Sequence, residues 1–95
     1  MREKAIEQKL VLAVRRSGGI APKFVSPGYD GMPDRIVLMP GGQICFVEVK
    51  APGEKPRKLQ QVRIKQLRKM GFMCFVVDGL EMISDVLDSI KGGVS

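Results

Sequence analysis

The run Phe72-Met73-Cys74-Phe75-Val76-Val77 is apolar at every position. A strand with one wet face would alternate; a run without alternation fits a strand buried on both faces. Such a strand belongs in a layered α/β domain. Its flanks agree. Pro56 suits the entry to a helix running to about Met70, which Gly71 ends. After the run, Leu80 to about Lys91 places Ile83, Val86, Leu87 and Ile90 on one helical stripe, and Gly92-Gly93 stops it.

The N-terminal half completes the order. Arg2 to Arg16 is predicted as a helix, because Ile6, Leu10, Ala13 and Val14 recur at helical spacing. Ser17-Gly18-Gly19 ends it, and Arg15 and Arg16 suit the negative end of the helix dipole. Ala21 to Val25 reads as a short strand. A loop rich in Gly and Pro follows, from Ser26 to Pro33. Arg35 to Met39 and Ile44 to Val49 read as two further strands, joined at Pro40-Gly41-Gly42 as a hairpin. Ala51 to Pro56 is another loop. The expected order is helix, three strands, helix, strand, helix. With 95 residues the chain has room for one domain, which buries roughly 60–65% of the surface its unfolded chain exposes.

Composition narrows the chemistry. Hydrophobic residues at 44% and charged residues at 27% fit a folded globular chain. No apolar run reaches the ~20 residues of a membrane span. Met1-Arg2-Glu3-Lys4 leads into an amphipathic stretch, unlike a signal peptide. The chain is therefore expected to be soluble and intracellular, in the cytoplasm. The absence of His excludes histidine bases, Ser-His-Asp triads and histidine zinc sites. Cys45 and Cys74 each sit in an apolar run and are expected to be reduced core residues. The formal charge of +6 makes nucleic acid the first partner to consider.

Glu48-Val49-Lys50 ends the third strand. Residues two apart on a strand share a face, so Glu48 and Lys50 lie roughly 6–7 Å apart along the chain. A carboxylate there can ligate a divalent metal while the lysine orients or polarises an attacking water. An ordinary surface ion pair has the same sequence signature. Asp34, after Met32-Pro33, starts the strand paired with that of Glu48. Two nearby carboxylates make a hard oxygen site for Mg²⁺ or Mn²⁺; a turn-capping Asp is the alternative.

Register tests the pair, since opposed residues on antiparallel strands share a face. A loop of two or four residues at Gly41-Gly42 would set Asp34 opposite Val49, facing away from Glu48. A three-residue loop, Gly41 to Gln43, sets it opposite Lys50. A five-residue loop, Met39 to Gln43, sets it opposite Glu48. A shared metal requires an odd loop, or a bulge near Asp34.

Two more polar residues adjoin apolar stripes. Glu3, Glu7, Leu10 and Val14 fall on one helical stripe. Glu7 can therefore reach a site at the sheet edge, directly or through water, or remain a solvated acid pairing with Lys4. Glu3 is the less favoured acid. Gln60 shares a stripe with Ile64 and Leu67, and an inward amide needs a polar partner. The site of Lys50 or a nearby backbone group could serve.

Glu7, Pro33-Asp34, Glu48-Val49-Lys50 and Gln60 occur in an order that resembles a stand-alone VRR-NUC domain of the PD-(D/E)XK nuclease superfamily. Lys23-Phe24-Val25-Ser26-Pro27-Gly28, Gly31-Met32-Pro33-Asp34-Arg35-Ile36-Val37, Phe46 to Gly53 and Leu59-Gln60 carry the resemblance, which covers about Arg2 to Leu87. It implies a restriction-endonuclease-like α/β core, helix-strand-strand-strand-helix-strand with a C-terminal helix and a mixed central sheet, over residues 1–95. It implies metal-dependent phosphodiester hydrolysis with Mg²⁺ or Mn²⁺. Asp34 and Glu48 would be metal ligands, completed by the backbone carbonyl of Val49. Lys50 would be the catalytic lysine, Glu7 would assist the metal or its water, and Gln60 would support the site. Compact members resemble homodimeric junction resolvases, which implies a homodimer acting on branched DNA such as Holliday junctions, in DNA repair, phage- or prokaryote-encoded.

Lys55, Arg57, Lys58, Arg63, Lys65, Arg68 and Lys69 crowd one stretch with no acid between. Such a helix repels itself unless a polyanion balances it. DNA phosphates are the expected counterpart, although a merely solvated face is compatible with the pattern. Aromatics at 5% argue against base stacking and for backbone contact. The leading expectation is a metal-dependent endonuclease on branched DNA. The alternatives are a flap or duplex nuclease of the same fold and a DNA-binding module that does not cut.

Overall fold

The computed structural model describes residues 2–92. The elements are α1 (Glu3–Arg16), β1 (Arg35–Met39), β2 (Gln43–Val49), α2 (Lys58–Lys69), β3 (Met73–Val77) and α3 (Glu81–Gly92). The sheet order is β1-β2-β3, with β1 antiparallel and β3 parallel to β2. The expected mixed sheet is present. So is the C-terminal helix, which runs through Gly92; Gly93, the other expected stop, lies outside the described residues.

Each face of the sheet has its own helical cover. Val37, Cys45, Val47 and Val49 pack under α1 and α3, against Ile6, Leu10, Val14, Ile83, Val86 and Ile90. Phe46 and Cys74 pack on the other face, under Ile64 and Leu67 of α2. Ile6, Leu10 and Val14 are fully buried, each worth roughly 1.5–3 kcal/mol relative to exposure. Both cysteines are buried and free. Burial pushes the Cys45 thiol up to about 12 and that of Cys74 to about 11, so neither forms a thiolate readily.

Two expectations need correction. The segment Ala21 to Val25 is not a strand: it makes only isolated bridges, Ile20 with Leu38 and Lys23 with Arg35. Pro22 is the cause. Ile20 and Leu38 exchange both backbone bonds, and Ile36 N–H donates to Pro22 O, but Pro22 has no N–H to return. One step further Phe24 N–H donates to Asp34 O, while Asp34 N–H goes to the side chain of Glu48. The strand run from Phe72 is also not fully buried. β3 is an edge strand, and Met73, Phe75 and Val76 are half-buried. Its side chains do reach both layers: Phe75 touches the α1/α3 core, and Val76 the α2 core.

The hairpin closes on the pair Met39↔Gln43, leaving Pro40, Gly41 and Gly42 as the loop. The loop is odd, as a shared site requires. It begins one residue earlier than the three-residue option above, so its register is that of the five-residue option. Arg35 lies opposite Val47, and one step on, Asp34 lies opposite Glu48.

Candidate active site

Glu48 lies near the end of β2, on the face that α2 covers, and is 1% exposed. A carboxylate so buried must be hydrogen-bonded or neutral. Its Oε1 accepts from Asp34 N–H at 3.2 Å. Its Oε2 accepts from Gln60 Nε2 at 2.9 Å and lies 3.2 Å from Lys50 Nζ. Burial raises its pKa above the usual carboxylate range, and the charge of Asp34 raises it further; Lys50 and the Asp34 N–H oppose the rise.

Lys50 and Gln60 are thus placed as expected. Lys50 N–H donates to Val77 O at 2.9 Å, extending the pairing with β3 past the last strand residue and fixing where the side chain leaves the backbone. Gln60 is buried and holds two elements at once. Its Oε1 accepts from Arg57 N–H at 2.8 Å, capping the start of α2, while its Nε2 reaches Glu48. The two alternatives for this residue, backbone partner or site partner, are both realised.

Glu7 does not pair with Lys4. Its Oε1 takes Arg35 Nη2 at 2.8 Å, with only 19% and 13% of the two side chains exposed. One carboxylate oxygen from each of Glu3, Glu7 and Asp34 lies within 4.8 Å of the other two. Lys23, Phe24 and Val25 line a cleft with these three acids. Glu48 is outside this group, since its carboxylate is turned to Lys50, Gln60 and the Asp34 amide. Asp34 therefore stands between two sets of polar groups. Sequence reasoning favoured Glu7 over Glu3 and did not single out Arg35; the structure brings Glu3 into the same acidic group and pairs Arg35 with Glu7. The signals were there: Glu3 and Glu7 are one turn apart, and Arg35 has the core-facing parity of Val37 and Met39.

The loop before Asp34 is tied to α2. Gly31 has φ +87°, and a Cβ there would lie 2.7 Å from Leu59 Cγ, so only glycine fits. The Arg63 guanidinium lies 3.8 Å from the centroid of the Tyr29 ring, and its Nε donates to Asp30 O at 2.8 Å. Tyr29 Oη donates to Gln66 Oε1 at 3.1 Å.

No family model matches the chain. A protein of Acyrthosiphon pisum secondary endosymbiont phage 1, named "Putative nuclease p44", is 50% identical over 91 residues, 96% of this chain and 97% of the relative. A solved structure described as a VRR_NUC domain matches with a TM-score of 0.85 and 27% identity, over 93% of this chain and 97% of that one. This chain belongs to the VRR-NUC family.

The basic residues of this VRR-NUC domain fall into two groups. Arg63 is committed to the loop, and Arg68 donates from Nε and Nη2 to Cys74 O at 2.9 and 2.7 Å. Lys55, Arg57, Lys58, Lys65 and Lys69 are exposed and make no ion pair among the described residues. Lys58, Lys65 and Lys69 form a stripe opposite the buried Gln60, Ile64 and Leu67. A groove between α1 and α3, lined by Leu12, Ala13, Ile83 and Leu87, is larger than the acidic cleft but holds none of the candidate groups.

The raised Glu48 carboxyl has a consequence for stability. The folded chain holds that proton more tightly than the unfolded chain, whose Glu titrates near about 4.3. The resulting contribution favours folding below that value and is lost as pH rises through the raised folded value. In EDTA, melting curves of the native chain should therefore lose stability across that window relative to Glu48→Gln. Parallel pH profiles for the two proteins would contradict the assignment.

Proposed function

We propose that the chain is a Mg²⁺- or Mn²⁺-dependent DNA endonuclease, a single nuclease domain acting on branched DNA as a homodimer. The observation that carries the reading is the buried Glu48 set opposite Asp34, with Lys50 at 3.2 Å. A solvated surface ion pair would not be 1% exposed at its acid. The phage relative's name, a nuclease, supports the class.

The donor chemistry fits a hard divalent cation. The available groups are all oxygens, and the crowding of Asp34 with Glu48, and of Glu3 with Glu7, is relieved by positive charge. Asp34, Glu48 and the Val49 carbonyl would hold the ion, with Glu7 directly or through water, and Glu3 beside it. When bound, such an ion supplies Lewis-acid stabilisation of the phosphate and a more acidic water. The chain's own groups do the rest. Lys50 orients the water and stabilises charge that develops on the phosphate. Gln60 fixes Glu48, and Lys55, Arg57 and Lys58, at the start of α2, meet the DNA backbone beside the site.

The dimer is supported by an exposed apolar row. Ile20, Leu38, Ile44 and Phe72 follow one another across the sheet on the face that carries Glu48, and Ile20, Ile44 and Phe72 are 55, 40 and 44% exposed. Four residues along β2 separate Ile44 from Glu48, roughly 13 Å. A second copy seated on this row would cover it and leave both sites open, so that two cuts could fall in opposed strands. No described helix is long and apolar enough to cross a membrane. The reading places the enzyme in the cytoplasm, phage- or prokaryote-encoded.

The test is cleavage of labelled four-way junction, flap and linear duplex with Mg²⁺, Mn²⁺ or EDTA, beside light scattering of the native chain and Ile44→Glu. Paired, metal-dependent nicks on the junction by a dimer, lost when Ile44→Glu leaves monomers, are expected. Cutting of flap or duplex alone would sink the resolvase reading and keep the nuclease. Tight binding without cutting under any metal would make it a binding module.

A further inference from the structure

Arg35 follows Asp34 directly, yet its side chain leaves the opposite face of β1, beneath α1. It joins three parts of the fold. Nη2 bonds Glu7 Oε1 at 2.8 Å and Nη1 bonds Ala21 O at 2.9 Å. Its Nε is buried without a protein partner. An arginine placed only to knit the core would be expected to use that donor too, since an unmet buried N–H is costly. The guanidinium divides its two terminal nitrogens between Ala21 O and the Glu7 carboxylate.

Glu7 stands within 4.8 Å of acids Glu3 and Asp34. Three carboxylates at that spacing repel one another. Lys50 lies on the other side of Asp34, against Glu48. Lys23 also lines this cleft, but among the described residues Arg35 is the cation that forms an ion pair with the group, and it is held by two arms.

We infer that Arg35 is a positioning residue: a built-in counter-charge that fixes Glu7 beside Asp34 and sets how strongly the acidic group attracts a divalent cation. The inference rests on the metal-dependent reading above. Because guanidinium stays charged at all working pH values, its restraint is permanent. It weakens attraction for the ion but keeps Glu7 placed to use it. Affinity and turnover should therefore move in opposite directions when Arg35 is changed.

The experiment measures Mn²⁺ binding by the full chain, by calorimetry and by electron paramagnetic resonance of the free ion. The proteins are the native chain, Arg35→Met, Arg35→Lys, Glu7→Gln, the double variant Arg35→Met/Glu7→Gln, and Asp34→Asn. Removing one positive charge several ångströms from a doubly charged ion should tighten Arg35→Met binding by about tenfold. Glu7→Gln should weaken it. The double variant removes one charge of each sign and should return close to the native value, which a packing defect would not do. At saturating Mn²⁺, cleavage by Arg35→Met should be slower although half-saturation needs less metal. Arg35→Lys keeps the charge without the two-armed fork, so it should bind Mn²⁺ near the native level while cleaving more slowly; it serves as the second variant if Arg35→Met does not fold.

Unchanged or weaker Mn²⁺ binding by Arg35→Met, or a double variant that binds no better than Glu7→Gln alone, would reduce Arg35 to a packing residue. If Asp34→Asn weakens binding and Glu7→Gln does not, Glu7 does not face the ion, and this inference falls while the metal-dependent reading stands. If the native chain binds no Mn²⁺, that reading itself fails.

Discussion

Alanine at Lys50 should lower metal-dependent cleavage by roughly 10²–10³-fold, the usual cost of losing one preorganised charge at a reacting group. The geometry also predicts a second effect. Lys50 is the cation that touches Glu48, at 3.2 Å, and Glu48 is 1% exposed. Without it the carboxylate keeps only Gln60 and the Asp34 N–H. Leaving a buried charge without its partner costs about 3–5 kcal/mol. Melting of Lys50→Ala in EDTA should thus fall well below the native chain, and most of the deficit should be recovered at acid pH, where Glu48 is protonated. A variant that loses cleavage yet melts like the native chain would show that the pair is not formed in solution. One that loses stability and still cuts would remove Lys50 from the chemistry.

Salt should act almost as strongly on binding. Five exposed cations, Lys55, Arg57, Lys58, Lys65 and Lys69, are free of ion pairs among the described residues. If each meets a phosphate, affinity for DNA falls by roughly 10²–10³-fold between 50 and 200 mM salt, from a logarithmic slope near about −4.5. Replacing Lys58, Lys65 and Lys69 together with glutamine should flatten that slope by about 3. Changing Arg63 should not flatten it in the same way, because its guanidinium already serves Tyr29 and Asp30. Fluorescence anisotropy across a salt series decides the matter. A slope that survives the triple change would move the DNA path off the outer face of α2.

The elements were legible where a local signal governs them. Helical periodicity placed α1 and α3, and Pro56 with Gly71 bounded α2, each to within about two residues, and the apolar run placed β3. What the run could not reveal was its partner: an edge strand and a central strand look alike when both faces are covered by helices. Ala21 to Val25 was misread because its β-forming residues were weighed without the missing N–H of Pro22. Parity alone required an odd hairpin loop, but the residue at which it starts depends on Pro40 and two glycines accepting a tight turn. The pairings of Glu48 with Asp34, Lys50 and Gln60 were readable from spacing and family resemblance. The shared stripe of Glu3 and Glu7 and the inward parity of Arg35 are readable too, but not that Glu7 meets Arg35 and Asp34, because that contact exists only where α1 meets the start of β1, more than two dozen residues away in the chain.

Consider last the double attachment of α2. On its inner side Gln60 holds Glu48; on its outer side Arg63 and Gln66 hold the loop that delivers Asp34. Both acids therefore take their bearings from one rigid rod, although they belong to different strands. On the proposed reading, a polyanion drawn to the lysines of that rod would carry the two acids together rather than apart. The surface proposed to grip and the pocket proposed to react would then vary in strength without losing their alignment, because one helix positions both.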